Sequence, residues 1–165
     1  NFAVQTGERT FEAAAYLRRH GADPCVVHKL FRDEMATVVQ RAKLVVEART
    51  PIAGLAVSVY KSAPSGDNTS VILAQAADEL VTMSEVKVSV VMAETENELL
   101  VSARSDGSVN VQTIMEELGG GGHQTVAGVQ LKGVKAEEVE PQIIELARKQ
   151  MEERDTNESN ITARY

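Results

Sequence analysis

The chain has 165 residues, is 43% hydrophobic, and carries a net charge of −7 from 17 basic and 24 acidic side chains. That supports one domain with a real core, or one domain plus an appended fragment, and no apolar run approaches the roughly 20 residues of a membrane-spanning helix. The charge is uneven: residues 1–50 are net +2 and residues 51–165 net −9. An acidic main body argues against duplex nucleic acid, whose binding depends on many Lys and Arg contacts to phosphate. No signal-peptide pattern opens the chain. Its single cysteine, Cys25, has no internal disulfide partner, which fits a reducing compartment. The opening Asn1-Phe2-Ala3-Val4 reads as the interior of a longer protein.

In chain order, Thr10 is placed to cap a helix over 11–19, with Phe11, Ala14, Ala15 and Leu17 largely on one face and Gly21 as its stop. Asp23 caps a second, short helix with Pro24 at its first position. A third helix over 33–47 carries the stripe Met35, Val38, Val39, Ala42, Val46. Residues 1–50 thus form a helical connector with too little apolar surface for a core of its own. After Pro51 a strand is expected over 52–60, then a turn-rich loop over 61–68 and a helix over 71–80. A β-branched run over 86–93, a charged turn over 94–98 and a strand over 99–104 follow. Asp106-Gly107 makes a turn, and residues 110–118 form a helix with Asn110 as its N-cap. A last strand over 127–132 and a long charged helix over 136–154 precede a polar tail, 155–165. Strands interleaved with helices make residues 51–154 an α/β domain, a mixed β-sheet with flanking helices, preceded by the connector.

Two catalytic chemistries find no support. The three histidines, His20, His28 and His123, lack metal-ligand spacing, and Asp23, Asp78 and Asp106 read as a cap, an exposed helical residue and a turn. No serine sits in a nucleophile elbow. Anion binding is better served. Gly119-Gly120-Gly121-Gly122-His123 is a run whose backbone can approach a phosphate or a flat base with no Cβ in the way. Apolar segments flank it closely, which favours a packed ligand loop over a linker. Arg104 and Ser105 close a strand with a forked cation and a hydroxyl, a pair suited to phosphate.

Ser102-Ala103-Arg104-Ser105, Val109-Asn110-Val111-Gln112 and the glycine–histidine run with Ala127-Gly128 resemble the DHH-associated domain of DHH-type phosphoesterases. With Thr6-Gly7-Glu8-Arg9-Thr10-Phe11-Glu12-Ala13-Ala14 and Gln75-Ala76-Ala77-Asp78-Glu79-Leu80, the chain is similar, over about residues 1–150, to the membrane-anchored cyclic-di-AMP phosphodiesterases of Gram-positive bacteria. The resemblance implies a substrate-binding half that closes on a catalytic DHH lobe of the same parent chain. That lobe would hold a pair of manganese ions (Mn2+), whose ligands this chain does not contain, so the fragment alone is expected to be inactive. It implies that Gly119, Gly120, Gly121, Gly122 and His123 meet the nucleotide and that Arg104 with Ser105 holds a phosphate. The substrate is a dinucleotide, cyclic di-AMP or pApA. The parent would work on the cytoplasmic side of the membrane, anchored by segments outside this chain. Alternatives are the substrate lobe of a short-oligonucleotide (nanoRNA) or pAp phosphoesterase, and a non-catalytic nucleic-acid-binding module. A homodimer through the 136–154 helix is a further partner that the sequence admits.

Overall fold

The computed structural model describes residues 6–32, 34–63 and 67–162, with the backbone alone at 67 and 154–162. Asn1 to Val4, Asp33, the expected turn residues Pro64-Ser65-Gly66 and the last three residues of the tail lie outside the described residues.

The chain divides into two compact units, residues 1–35 and 36–165. In the first, α1 spans Glu8–Arg19 and α2 spans Pro24–Lys29, and neither contains a buried residue. Thr10 is not the cap of α1. The N–H groups of Thr10 and Phe11 both donate to the carbonyl of Gly7, which is the N-cap, so the helix starts a turn earlier than the side-chain pattern suggests. Asp23 does cap α2, accepting from the Cys25 N–H at 2.9 Å, with Pro24 supplying a first position that needs no donor.

The second unit begins within α3 (Met35–Val46). Residues 36–50, read as connector, fall with the sheet because Leu44 is 3% exposed and buried in its core. Among the described residues six strands form one sheet in the order β1 (Arg49–Ile52), β2 (Gly54–Tyr60), β3 (Val86–Glu94), β4 (Glu98–Ser105), β6 (Val126–Lys132), β5 (Gly121–His123). Only β2 and β3 run parallel; the other pairs are antiparallel. The sequence reading merged β1 and β2 into one strand. Gly54, with φ of +84°, turns the chain between them, and Pro51, which cannot donate to a ladder, sits on the outermost strand.

Helices cover both faces. Helix α4 (Asp67–Leu80) lays Ile72, Leu73, Ala76, Ala77 and Leu80 on Ala56, Val91, Ala93 and Leu100. On the opposite face α5 (Val111–Glu117) and α6 (Ala136–Thr162) bury Ile114, Met115, Val139, Ile143 and Ala147 against Val57, Val90, Met92, Leu99 and Val101. α6 continues through Thr162, so most of the expected polar tail is helical backbone.

Candidate functional site

Strand alternation sorts the predicted site residues before any contact is considered, because successive side chains on β4 point to opposite faces. Leu100 packs with α4, whereas Leu99, Val101 and Ala103 pack with α5 and α6. Ser102 and Arg104 therefore share the α4 face and Ser105 lies on the other. The ladder carries that face outward in rows. Arg104 pairs with Val126, which pairs with His123; Ser102 pairs with Gly128, which pairs with Gly121; Leu100 pairs with Gln130. Arg104 and His123 are thus brought onto one face with Val126 between them, two strand spacings or roughly 10 Å apart.

Arg104 is held rather than free. Its Nε donates to Asp78 Oδ1 at 2.6 Å, and its Nη1 donates to Ser102 Oγ and to the Ala103 carbonyl, each at 3.0 Å. The Arg104 side chain is 11% exposed and Asp78 is 56% exposed, so the pair sits at the rim of α4 with its acid toward water. Of five guanidinium N–H groups the two on Nη2 make no hydrogen bond among the described residues. Ser105 is occupied elsewhere. Its Oγ accepts from the N–H groups of Gly107 at 3.0 Å and Val109 at 3.3 Å, which shapes the turn into α5. The hydroxyl beside Arg104 belongs to Ser102. The sequence contains that signal, since i and i+2 on a strand share a face. The Asp78 contact depends on where α4 lands on β4, and no local pattern predicts it.

The glycine run has two parts. Gly119 N–H bonds Glu116 O at 2.9 Å and Gly120 N–H bonds Met115 O at 2.8 Å, closing the C-terminus of α5 as a Schellman motif with Gly119 at φ +83°. Two of the four amides are thereby engaged. Gly121, Gly122 and His123 form β5, the sheet's edge, which turns half of its backbone groups away from β6. A Cβ at Gly120 would lie 2.5 Å from Val129 Cβ and one at Gly122 2.5 Å from Ala127 Cα, whereas at Gly121 nothing lies within 4 Å. Sterics thus demand glycine at 120 and 122 but not at 121. The Gln124-Thr125 turn is fixed by Val111 N–H to Gln124 O and Ser105 N–H to Thr125 O, both 3.0 Å. Asn110 caps α5 as expected, accepting from Gln112 N–H at 3.0 Å.

A cavity of about 480 Å³ opens on this face, between Ser70 and Leu73 of α4 and the backbone of Gly119-Gly120, with Ser102, Gly128 and Gln130 along it. A second, of about 500 Å³, lies between α3 and the end of β2, lined by Lys43, Leu44 and Tyr60 among others. It contains none of the predicted site residues. Among the described residues no group of three or more His, Cys, Asp or Glu side chains could hold a metal ion, and no helix is long and apolar enough to cross a membrane.

Comparison with known proteins bears on this arrangement. Over 146 residues the chain is 45% identical to the cyclic-di-AMP phosphodiesterase GdpP of Geobacillus thermodenitrificans and 42% identical to the cyclic-di-AMP phosphodiesterase PdeA of Listeria monocytogenes. These alignments cover 88% and 87% of this chain but only 22% of each relative, so the chain spans about a fifth of their length. The fold resembles a solved exopolyphosphatase-related protein of Bacteroides fragilis, with a TM-score of 0.60 over 90% of this chain and 44% of that one, at 13% identity. Residues 52–153, from the end of β1 into α6, match the family model described as the DHHA1 domain, and the chain belongs to that family.

Proposed function

We propose that the α4-side face of β4, β6 and β5 is the substrate-binding half of a phosphodiesterase that hydrolyses cyclic di-AMP to pApA. The observation that carries the reading is the cross-sheet row Arg104–Val126–His123 beside the cavity over Gly128. It sets a forked cation and an imidazole on one face, with a backbone of low steric demand alongside. The two curated relatives are cyclic-di-AMP phosphodiesterases by name, which supports a dinucleotide as ligand. Arg104 Nη2 and His123 would take the phosphate, and the outward groups of β5 would approach the nucleotide without Cβ interference at Gly121. Positioning of this kind contributes to phosphoryl transfer by orienting the substrate for attack.

The described residues do not fit a manganese pair. We therefore assign metal chemistry to a DHH lobe elsewhere in the parent and expect this chain alone to bind without hydrolysing. Anchoring of the parent to a membrane, with this lobe on the cytoplasmic side, and homodimerisation belong to the same proposal. The short-oligonucleotide reading differs only in ligand, so one experiment addresses both. Calorimetric titration of this chain, metal-free, with cyclic di-AMP, linear pApA and a longer oligoadenylate should give saturable dinucleotide binding that Arg104→Ala abolishes. Tightest binding of the longer strand would replace the cyclic substrate with an oligonucleotide. Absence of all binding would refute a self-sufficient substrate lobe.

A further inference from the structure

The cavity beside Arg104 differs in character from the row that Arg104 begins. Its side chains are hydroxyls, an amide and aliphatics: Ser70, Ser102, Gln130, Leu73 and Leu100. Among the described residues no carboxylate and no cation lines it, whereas Arg104 and His123 share a cross-strand row at the far end of the same face. An anion belongs at the charged end. A neutral cavity lined by glycine backbone and a few uncharged polar side chains suits an uncharged planar group instead, and about 480 Å³ lies within the usual range for small-ligand sites.

The register gives the spacing. Gln130 pairs with Leu100 and Val126 pairs with Arg104, so four residues of strand separate the amide row from the charged row, roughly 13 Å along β6. Between them lies Gly128, opposite Ser102, where the absence of a side chain keeps the floor of the cavity low. A nucleotide lying along β6 with its phosphate at Arg104 would bring its base into the cavity and the base edge to Gln130. The Gln130 side chain is exposed and has no hydrogen-bond partner among the described residues.

We propose that Gln130 is a specificity-determining residue that reads the base of the bound dinucleotide and selects adenine over guanine. The assignment rests on the nucleotide reading of the site given above. A carboxamide presents one donor and one acceptor in a plane, which matches N7 and the N6 amino group of adenine. Guanine offers two acceptors on that edge, N7 and O6, so the amide can satisfy one while its own oxygen faces the other.

The test is equilibrium titration of this chain with cyclic di-AMP and with cyclic di-GMP, using wild type, Gln130→Ala and Arg104→Ala. Wild type should prefer cyclic di-AMP. Gln130→Ala should lose roughly tenfold to a hundredfold in affinity for cyclic di-AMP, change little toward cyclic di-GMP, and melt with the wild type because an exposed side chain has been removed. Arg104→Ala should weaken both ligands alike. Unchanged affinity and preference in Gln130→Ala, with binding still lost in Arg104→Ala, would overturn the base-reading role and leave the nucleotide site standing. Failure of wild type to bind either ligand would remove the nucleotide reading and this assignment together.

Discussion

Alanine placed singly at Gly120 and at Gly121 separates what the glycine run does for the fold from what it does for a ligand. At Gly120 the new methyl would lie 2.5 Å from Val129 Cβ and 3.0 Å from Val129 Cα, and would press on the Gly128 carbonyl oxygen. Those atoms belong to β6, which is held between β4 and β5 and cannot shift without opening a ladder. Overpacking of this kind costs about 1–3 kcal/mol, offset by about 0.4–1 kcal/mol from the lower entropy of the unfolded chain. At Gly121 nothing lies within 4 Å and φ is outside the left-handed region, so only the favourable contribution remains. The entropic contribution is common to both, so the two variants should differ by about 1–3 kcal/mol, or several degrees in melting temperature for a chain of this size, where 1 kcal/mol corresponds to roughly 2–4 °C. Thermal unfolding followed by circular dichroism reads that gap. Gly121→Ala should then bind cyclic di-AMP more weakly despite its intact fold, because Gly121 pairs with Gly128 and its methyl would project from the same face. Equal destabilisation of the two variants would refute the steric reasoning. A stable Gly121→Ala with wild-type affinity would make the run purely architectural.

Asp78→Ala should cost about 1 kcal/mol or less in stability, since Asp78 is half exposed and water replaces it. It should nonetheless weaken cyclic di-AMP binding by releasing Arg104 Nε, with Asp78→Asn restoring most of the loss; unchanged affinity in Asp78→Ala would remove its positioning role. Dinucleotide binding should fall only shallowly with added salt, a log–log slope of roughly −1 for a single phosphate held by Arg104; a slope several times steeper would favour the long-strand binding module. Arg49→Ala leaves Glu140, whose side chain is 12% exposed, without the arginine that ties β1 to α6, and should destabilise by about 1–3 kcal/mol in urea unfolding. A loss no greater than that of Lys61→Ala, which breaks the fully exposed pair with Glu137, would show the burial to be unimportant.

Most of the sheet domain was legible because its strands are long and β-branched and its caps are local. Val86–Glu94 and Asn110 are of this kind. What escaped was short or Gly- and Pro-containing. β1 holds Pro51, and β5 consists of Gly121, Gly122 and His123, which have no strand propensity of their own and take the form from their pairing with β6. The arrangement of the candidate site was half legible. Arg104, His123 and the glycines could be named from residue type, and Ser102 could have been found by alternation. Asp78 could not, since residues 26 apart meet only once α4 is seated.

The distribution of charge decides between classes of ligand more firmly than any one contact. The unit that carries the sheet, residues 36–165, is net −7, and the cation on the candidate site's face, Arg104, is already paired with Asp78. A long strand passing over such a body would meet repulsion along most of its path, with few donors to offset it. A dinucleotide bound as proposed would place one phosphate at Arg104 and His123 and extend toward a cavity lined by neutral side chains, so its remaining contacts would need no cation. On that proposal the division, charge at one end of β6 and an amide at the other, would select for a ligand one or two nucleotides long. It would also let an acidic domain serve an anionic substrate. The attraction would be confined to one row of side chains, and the surrounding negative field would disfavour the longer polyanions that share the same phosphate chemistry.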